Sequence, residues 1–419
     1  MENKMDDVLL YGNESEESDK PPSCKPRPVR PWRVAVVANV RGEGTIPGSG
    51  PEDAGAEFDK METIQAIQAA IQSDGHHTVF IPADINLPNN LRDVVPDICF
   101  NISEGLGGDG REAQAPALFE MMHIPYTASR VTANAIALDK TLTKRIWRDC
   151  GLPVAPFQEF STGYEQIDPT LRYPMFVKPA REGTGMGMGT QSICYNSRQL
   201  RERVHWIIQK YNQPALVEEY LSGREFTVGI LGRTDAAGFS LHPEYYQSDG
   251  FHRMPVLEVD NDNSITPGVY GHDAKTLVVG EAGVPDFICP AHISASFSRT
   301  LQNLAIRGHQ AVGALDVSRI DFRCDGEGKP FLLEINSLPG LSPGFSDLCV
   351  IANAESVSYR DLILEILYLG ASRFGLVEKA IDNQPEIEIS LPMPGVKSHR
   401  TARVQSRQSL SLRARTQLR

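Results

Sequence analysis

The first apolar run sets the pattern for the rest of the chain. Residues 33–40 (RVAVVANV) are almost continuously apolar, as in a parallel strand covered on both faces. Residues 61–73 carry Ile64, Ile67 and Ile71 at helical spacing. Strands are predicted over 77–82 and 97–102. A helix is predicted over 111–123, with Ala115, Leu118, Phe119 and Met122 on its apolar side, followed by extended chain at 124–127. This β-α-β-α-β order predicts a small doubly wound α/β domain ending near residue 130. The loop NISEGLGGDG, residues 101–110, follows a strand's carboxyl end, where such sheets place ligand loops. A plain turn accounts for it equally well.

A second unit begins at Val131. One helix is predicted over 132–150, stopped by Gly151 and carrying Asp139, Lys140 and Lys144. A strand over 174–179 carries Lys178. The glycine-rich run AREGTGMGMG, residues 180–189, has neither G-x-G-x-x-G spacing nor the G-K-[ST] of a P-loop. It reads as a flap between two strands, whose backbone N–H groups are suited to covering phosphates. A helix is predicted over 197–211. Over 215–228 two β-rich pieces flank a Ser-Gly turn. This is either a strand-to-linker junction able to receive adenine or an ordinary hairpin with exposed acids.

Residues 313–348 organise the chain. Strands over 318–324 and 330–336 flank the turn Asp325-Gly326-Glu327-Gly328-Lys329 and predict a hairpin. Side chains alternate across a strand, so Glu334 and Asn336 share a face, with Asp321 on the partner strand. Two carboxylates and an amide are hard oxygen ligands, suited to Mg²⁺ carrying a nucleotide phosphate. Solvated acids on a surface hairpin are the alternative, but Phe331-Leu332-Leu333 and Ile335 argue for burial.

Composition changes this picture little. The chain of 419 residues is 41% hydrophobic and 22% charged, an ordinary globular balance with room for two or three domains. A net charge of −12 makes nucleic acid an unexpected partner. Seven scattered cysteines without a C-x-x-C indicate neither a zinc site nor a disulfide framework. No apolar run is long enough to span a bilayer and no signal peptide is evident, so a cytoplasmic protein is expected. Tails are expected at 1–31, acidic and Pro-rich, and at 383–419. Residues 397–419 hold seven Lys or Arg and no acid.

Taken in order, K-P-A-R-E-G-T-G-M-G-M, V-E-E-Y-L-S-G-R-E-F-T-V, R-I-D-F and L-L-E-I-N-S-L-P-G-L resemble the D-alanine–D-alanine ligase family of the ATP-grasp superfamily. L-D-K-x-L-T-K and E-x-x-x-I-P-Y also match, and the resemblance covers roughly residues 32–380. It implies an ATP-grasp fold: an N-terminal α/β domain (32–130), a central subdomain (131–228) and a C-terminal subdomain with the metal site (229–382). It further implies that Lys140 and Lys178 contact ATP phosphates, and that Thr184 is a small hydroxylic position near the active site. Glu218 and Leu221 match adenine contacts, and Glu225 the ribose contact. Asp321, Glu334 and Asn336 match Mg²⁺ ligands, with Mn²⁺ as a substitute ion. Arg319 and the Gly340 N–H match groups that stabilise a tetrahedral intermediate. Lys275 matches the lysine of a loop that closes over ATP. A homodimer through the first domain is also implied.

The implied reaction is ATP- and Mg²⁺-dependent joining of a carboxylate to an amine through an acyl phosphate, with small amino-acid-like substrates. A hydroxyl acceptor, or ATP binding without catalysis, are the alternatives. The departures concentrate on the substrate side. A-E-F-D-K-M-E-T replaces E-H-E-V-S, leaving Glu57 or Asp59 to hold a substrate ammonium. S-E-G-L-G-G-D-G-R-E replaces H-G-x-x-G-E-D-G, and Thr276 stands where the family has tyrosine. P-G-L-S-P-G-F-S-D-L leaves Ser342 or Ser346 for the carboxylate pocket.

Overall fold

The computed structural model describes residues 30–42, 51–261, 268–269, 271 and 285–378. The chain starts with β1 (Arg33–Ala38), α1 (Met61–Gln72), β2 (His77–Pro82), α2 (Leu87–Val94), β3 (Ile98–Ile102) and α3 (Gln114–Met121). The three strands form a parallel sheet in the order β2-β1-β3, as the apolar run of β1 requires; all but the first of its residues are buried. α1 covers the sheet with Ile64, Ile67 and Ile71.

α4 (Val131–Leu138) and α5 (Lys140–Asp149) replace the single helix expected over 132–150. The break is at Asp139. Its backbone is extended, its carboxylate accepts from Leu142 N–H at 2.9 Å, and its other oxygen pairs with Arg181 at 2.8 Å. The cap of α5 and a tertiary ion pair together outweigh continuous helix.

β4 (Phe157–Phe160), β5 (Met175–Pro179), β6 (Ile193–Cys194), α6 (Ser197–Tyr211) and β7 (Ala215–Glu219) follow. Their strands form an antiparallel sheet, β4-β7-β5-β6. The glycine-rich run connects β5 to β6, as a flap. The third sheet, β10-β9-β8-β11-β12, is also antiparallel. It is built from β8 (Glu225–Gly232), β9 (Phe251–Asp260), β10 (Asp286–Ile288), β11 (Asp316–Cys324) and β12 (Pro330–Asn336), with α7 (Ala295–Ala311) lying between β10 and β11 in sequence. β7 and β8 lie in different sheets, so the Ser-Gly turn is a junction between sheets and not a hairpin.

α7 packs on the third sheet so closely that a Cβ on Gly308 would sit 2.9 Å from Leu332 and 3.0 Å from Ile320. The Gly308 carbonyl accepts from the Trp147 indole at 3.0 Å, fastening α5 to the same layer. α8 (Asp347–Ala354) and α9 (Tyr359–Ser372) complete the described chain. Leu362 through Ala371 of α9 are all buried, in one core with Val34, Val36, Ile64 and Met254. Each such leucine or isoleucine contributes about 1.5–3 kcal/mol of burial, so α9 binds the first and third sheets into one body.

Candidate active site

The β11–β12 hairpin turns at residues 325–329, where Asp325 N–H donates to Lys329 C=O at 3.0 Å. Its register sets Asp321 opposite Glu334 and Arg319 opposite Asn336. The pairing slips after Asp321, leaving Leu333 as an extra residue that faces the neighbouring cleft. Asp321 Oδ1 accepts from Thr227 Oγ1 at 2.6 Å and Arg319 Nε at 3.0 Å. Its Oδ2 accepts from Arg319 Nη2 at 3.0 Å and Asn336 Nδ2 at 3.2 Å. Arg319 also meets Asp347 at 3.3 Å. Burial alone would lower the Arg319 pKa, but Asp321 and Asp347 outweigh it and raise it, so the guanidinium stays charged.

Facing the hairpin are three lysines. Lys140 Nζ lies 3.4 Å from Glu334 and donates to the Glu182 carbonyl. Lys178 and Lys144 share Glu218, at 2.8 and 2.9 Å. Burial pushes the Glu218 carboxyl up, but the two ammonium groups dominate and hold it down at about 2. Burial dominates for fully enclosed Lys144, whose pKa is lowered. For Lys178, Glu218 and Glu334 prevail and raise it. Glu218 therefore positions Lys178, with its carboxylate turned to the lysines.

A cleft of about 730 Å³ lies between the second and third sheets. Phe176, Met188, Leu221, Val269 and Leu333 form its apolar walls, with Lys178, Glu225, Asp321 and Glu334 on the polar side. Tyr220 lines it too, stacked on Phe176 and capped by the Arg323 guanidinium 5.2 Å from its ring. Glu225 accepts from Asn261 and Arg323, each at 3.3 Å. The walls are apolar and partly aromatic, with the Glu225 carboxylate at the polar side of the cleft.

Two of the flap's backbone N–H groups have partners on the first domain. Gly183 N–H donates to Glu57, and Gly187 N–H donates to Asp53 at 3.0 Å. Asp53 also accepts from the Tyr211 hydroxyl at 2.7 Å, and Arg203 donates to the Gly187 carbonyl. A Cβ on Gly187 would meet Pro179 at 2.8 Å and Tyr211 at 2.9 Å, so only glycine fits this docked tip. Thr184 sits on the flap with φ +49°, a left-handed conformation that costs a β-branched residue about 1 kcal/mol or more.

Among the remaining candidates, Ser346 Oγ accepts from the Ser342 N–H at 2.9 Å and crowds Gly340, so Ser346 shapes the turn that carries Gly340. Asp59 is held by a backbone bridge to Val40; burial pushes its carboxyl up to about 7. Lys275 and Thr276 lie outside the described residues. Sequence reasoning assigned no role to Lys144, Arg111, Asp347, Thr227 or Arg323. Only Lys144 had a usable signal: it stands four residues from Lys140, on the same helix face.

Comparison with known proteins gives the family. The family model described as the D-ala D-ala ligase C-terminus matches residues 146–368, just over half of the chain. The chain belongs to the D-alanine–D-alanine ligase family. An uncharacterized protein y4sG of Sinorhizobium fredii is 32% identical over 82% of this chain and 98% of its own length. A D-alanine–D-alanine ligase of Geobacter sulfurreducens is 32% identical over 72% of this chain and 86% of its own. The crystal structure of D-alanine–D-alanine ligase from Bacillus anthracis complexed with ATP superposes with a TM-score of 0.59 at 17% identity, over 82% of this chain and 98% of that one. The fold is thus ATP-grasp, and the reaction class of the family is ATP-dependent, amide-forming ligation. Among the described residues no helix is long and apolar enough to cross a membrane.

Proposed function

We propose that this member of the family joins a carboxylate donor to an amine acceptor, both small and amino-acid-like, in the cleft between the second and third sheets. The observation that carries the reading is the convergence of Lys140, Lys178, Asp321, Glu334, Asn336 and Arg319 on one side of a base-sized apolar cleft. Asp321 and Glu334 face each other directly in register, an arrangement that is unfavourable without a cation between them. Protein cations stand beside them in this structure: Arg319 on Asp321 and Lys140 on Glu334. The donor set of two carboxylates and an amide fits a hard divalent ion, and Asp321, Glu334 and Asn336 would hold it. Such an ion, when bound, offsets phosphate charge and polarises the transferring phosphoryl group.

The chain's own residues account for the rest. Lys178, fixed by Glu218, and Lys140, fixed by the Glu182 carbonyl, offset charge on the ATP phosphates. Phe176, Leu221 and Leu333 hold the base and exclude water. A donor carboxylate oxygen attacks the γ-phosphorus and ADP leaves, giving an acyl phosphate. The amine then attacks the acyl carbon, loses a proton, and phosphate leaves. Arg319 and the Gly340 N–H stabilise the oxyanion; one such donor typically contributes about 3 kcal/mol. No side-chain nucleophile is required. The scattered cysteines, free where described, are in keeping with a cytoplasmic setting.

The test is phosphate release from ATP and Mg²⁺ with carboxylates and amines offered singly and together, with mass spectrometry of the products. Release that needs both partners and yields an amide supports the reading. Ester products formed only with hydroxy acids would transfer it to a hydroxyl acceptor. ATP binding without turnover on any pair would refute it.

A further inference from the structure

Arg111 closes the loop that stands in place of the family's H-G-x-x-G-E-D-G. Its position is built in: a Cβ on Gly105 would lie 2.1 Å from the Arg111 carbonyl oxygen, so the loop winds tightly around it. The guanidinium is 11% exposed. Its Nη2 lies 2.6 Å from Glu57 Oε2 and 3.2 Å from Glu182, and Nη1 donates to the Arg181 carbonyl at 2.8 Å. The other Glu57 oxygen accepts from the flap's Gly183 N–H. Both Glu57 oxygens are thus engaged, one by a cation and one by the flap.

We propose that Arg111 determines donor specificity: it occupies Glu57 where a substrate α-ammonium would otherwise sit, so the donor is a carboxylic acid without a free α-ammonium, either N-acylated or lacking the amino group. This rests on the ligase reading and on Glu57 marking the donor end of the pocket. At Glu57 an incoming ammonium meets the Arg111 cation and finds both carboxylate oxygens already filled, while the further acids Glu104, Glu112 and Glu182 draw on that same guanidinium. Two neighbours agree. Among the described residues Glu104 and Glu112 have neither an ion pair nor a hydrogen-bond partner. Burial, then repulsion from Glu112 and Glu57, holds the Glu104 carboxyl well above its ordinary range; burial, then repulsion from Glu57, pushes Glu112 up to about 7. Carboxyls held toward their neutral form donate hydrogen bonds to an uncharged polar group. The same guanidinium ties Glu57 to Arg181 and Glu182, so donor choice and flap position are set by one residue.

The test traps acyl phosphate with hydroxylamine, which makes the readout independent of the natural acceptor. The full-length protein, ATP and Mg²⁺ are given a series of free amino acids and their N-acetyl and deamino counterparts, and hydroxamate is measured. The expected wild-type kcat/KM is at least tenfold higher for the donors without an ammonium. Arg111→Met should shift that ratio at least tenfold toward free amino acids, and Arg111→Lys, which keeps the cation, should preserve the wild-type order. A wild-type preference for free amino acids, a measurement that needs no variant, overturns the proposal. An Arg111→Met that lowers both donor classes by the same factor overturns it as well. No hydroxamate with any donor, in a protein that binds ATP, would instead sink the ligase reading itself.

Discussion

Replacing Glu218 by Gln should cost both stability and nucleotide affinity, by separable routes. The carboxylate lies between Lys144 and Lys178 at 2.9 and 2.8 Å, and its side chain is 4% exposed. A carboxyl brought from its ordinary value near 4.5 to about 2 carries roughly 3 kcal/mol of differential stabilisation at neutral pH. Since the folded-state value is the depressed one, this contribution is complete above about pH 4.5 and is lost as pH falls through about 2. Glu218→Gln should therefore lower the unfolding free energy in urea by about 3 kcal/mol at pH 7, within the range for breaking a buried pair. The difference from wild type should shrink on acidification below pH 4. ATP affinity, read by calorimetry, should fall about tenfold or more, because Lys178 loses its anchor. The double variant Glu218→Leu with Lys144→Met should recover only part of the stability, since it removes one buried pair but leaves Lys178 without the carboxylate it shares with Lys144. It should not recover ATP affinity. A loss under about 0.5 kcal/mol, a value ordinary for an unimportant surface position, with unchanged ATP binding would refute this account of Glu218.

Further outcomes are expected elsewhere. Arg319→Lys should lower kcat by about 100-fold, the usual cost of one oxyanion donor, while ATP affinity measured by calorimetry stays within threefold or so of wild type. Glu334→Gln should weaken Mn²⁺ binding, followed by paramagnetic relaxation of water protons, by about tenfold or more, in the range for disturbing a metal site; unchanged binding would remove Glu334 from the metal site. Thr184→Gly should leave urea stability within about 0.5 kcal/mol of wild type, because relief of left-handed strain offsets added chain entropy; a large loss would show that the hydroxyl holds the flap. Glu112 has a raised pKa, so its folded form holds a proton that its unfolded form has lost. Its contribution to stability is present below about pH 4.5 and disappears as pH rises through about 7. Urea midpoints of Glu112→Gln should accordingly fall less than those of wild type between pH 5 and 7.5.

Much of this was legible in the sequence wherever local chemistry and burial point the same way. The β11–β12 hairpin follows from Asp325-Gly326 between β-formers, and period two alone puts Glu334 and Asn336 on one face. α6 begins where expected because the Asn196 side chain accepts from Gln199 N–H, and it ends at Asn212 in a left-handed conformation. The break at Asp139 was hidden, because the deciding partner, Arg181, is 42 residues away. The bulge at Leu333 depends on how two strands slip, which periodicity does not record. Two flap amides, of Gly183 and Gly187, donate to Glu57 and Asp53, which lie 126 and 134 residues earlier in the chain between β1 and α1, a partnership that local pattern does not record. Arg111 was invisible for the same reason: its meaning comes from Glu57, 54 residues earlier, and from the flap.

The central claim is that a donor carboxylate attacks the γ-phosphorus in the cleft beside Lys178, Glu334 and Arg319. An ¹⁸O-labelled donor carboxylate tests it most directly. With ATP, Mg²⁺ and an amine acceptor, one ¹⁸O should pass from the donor into each inorganic phosphate released, alongside ADP and an amide product, because the oxygen that forms the acyl phosphate leaves with phosphorus. Unlabelled phosphate, or AMP and pyrophosphate in place of ADP, would contradict the account.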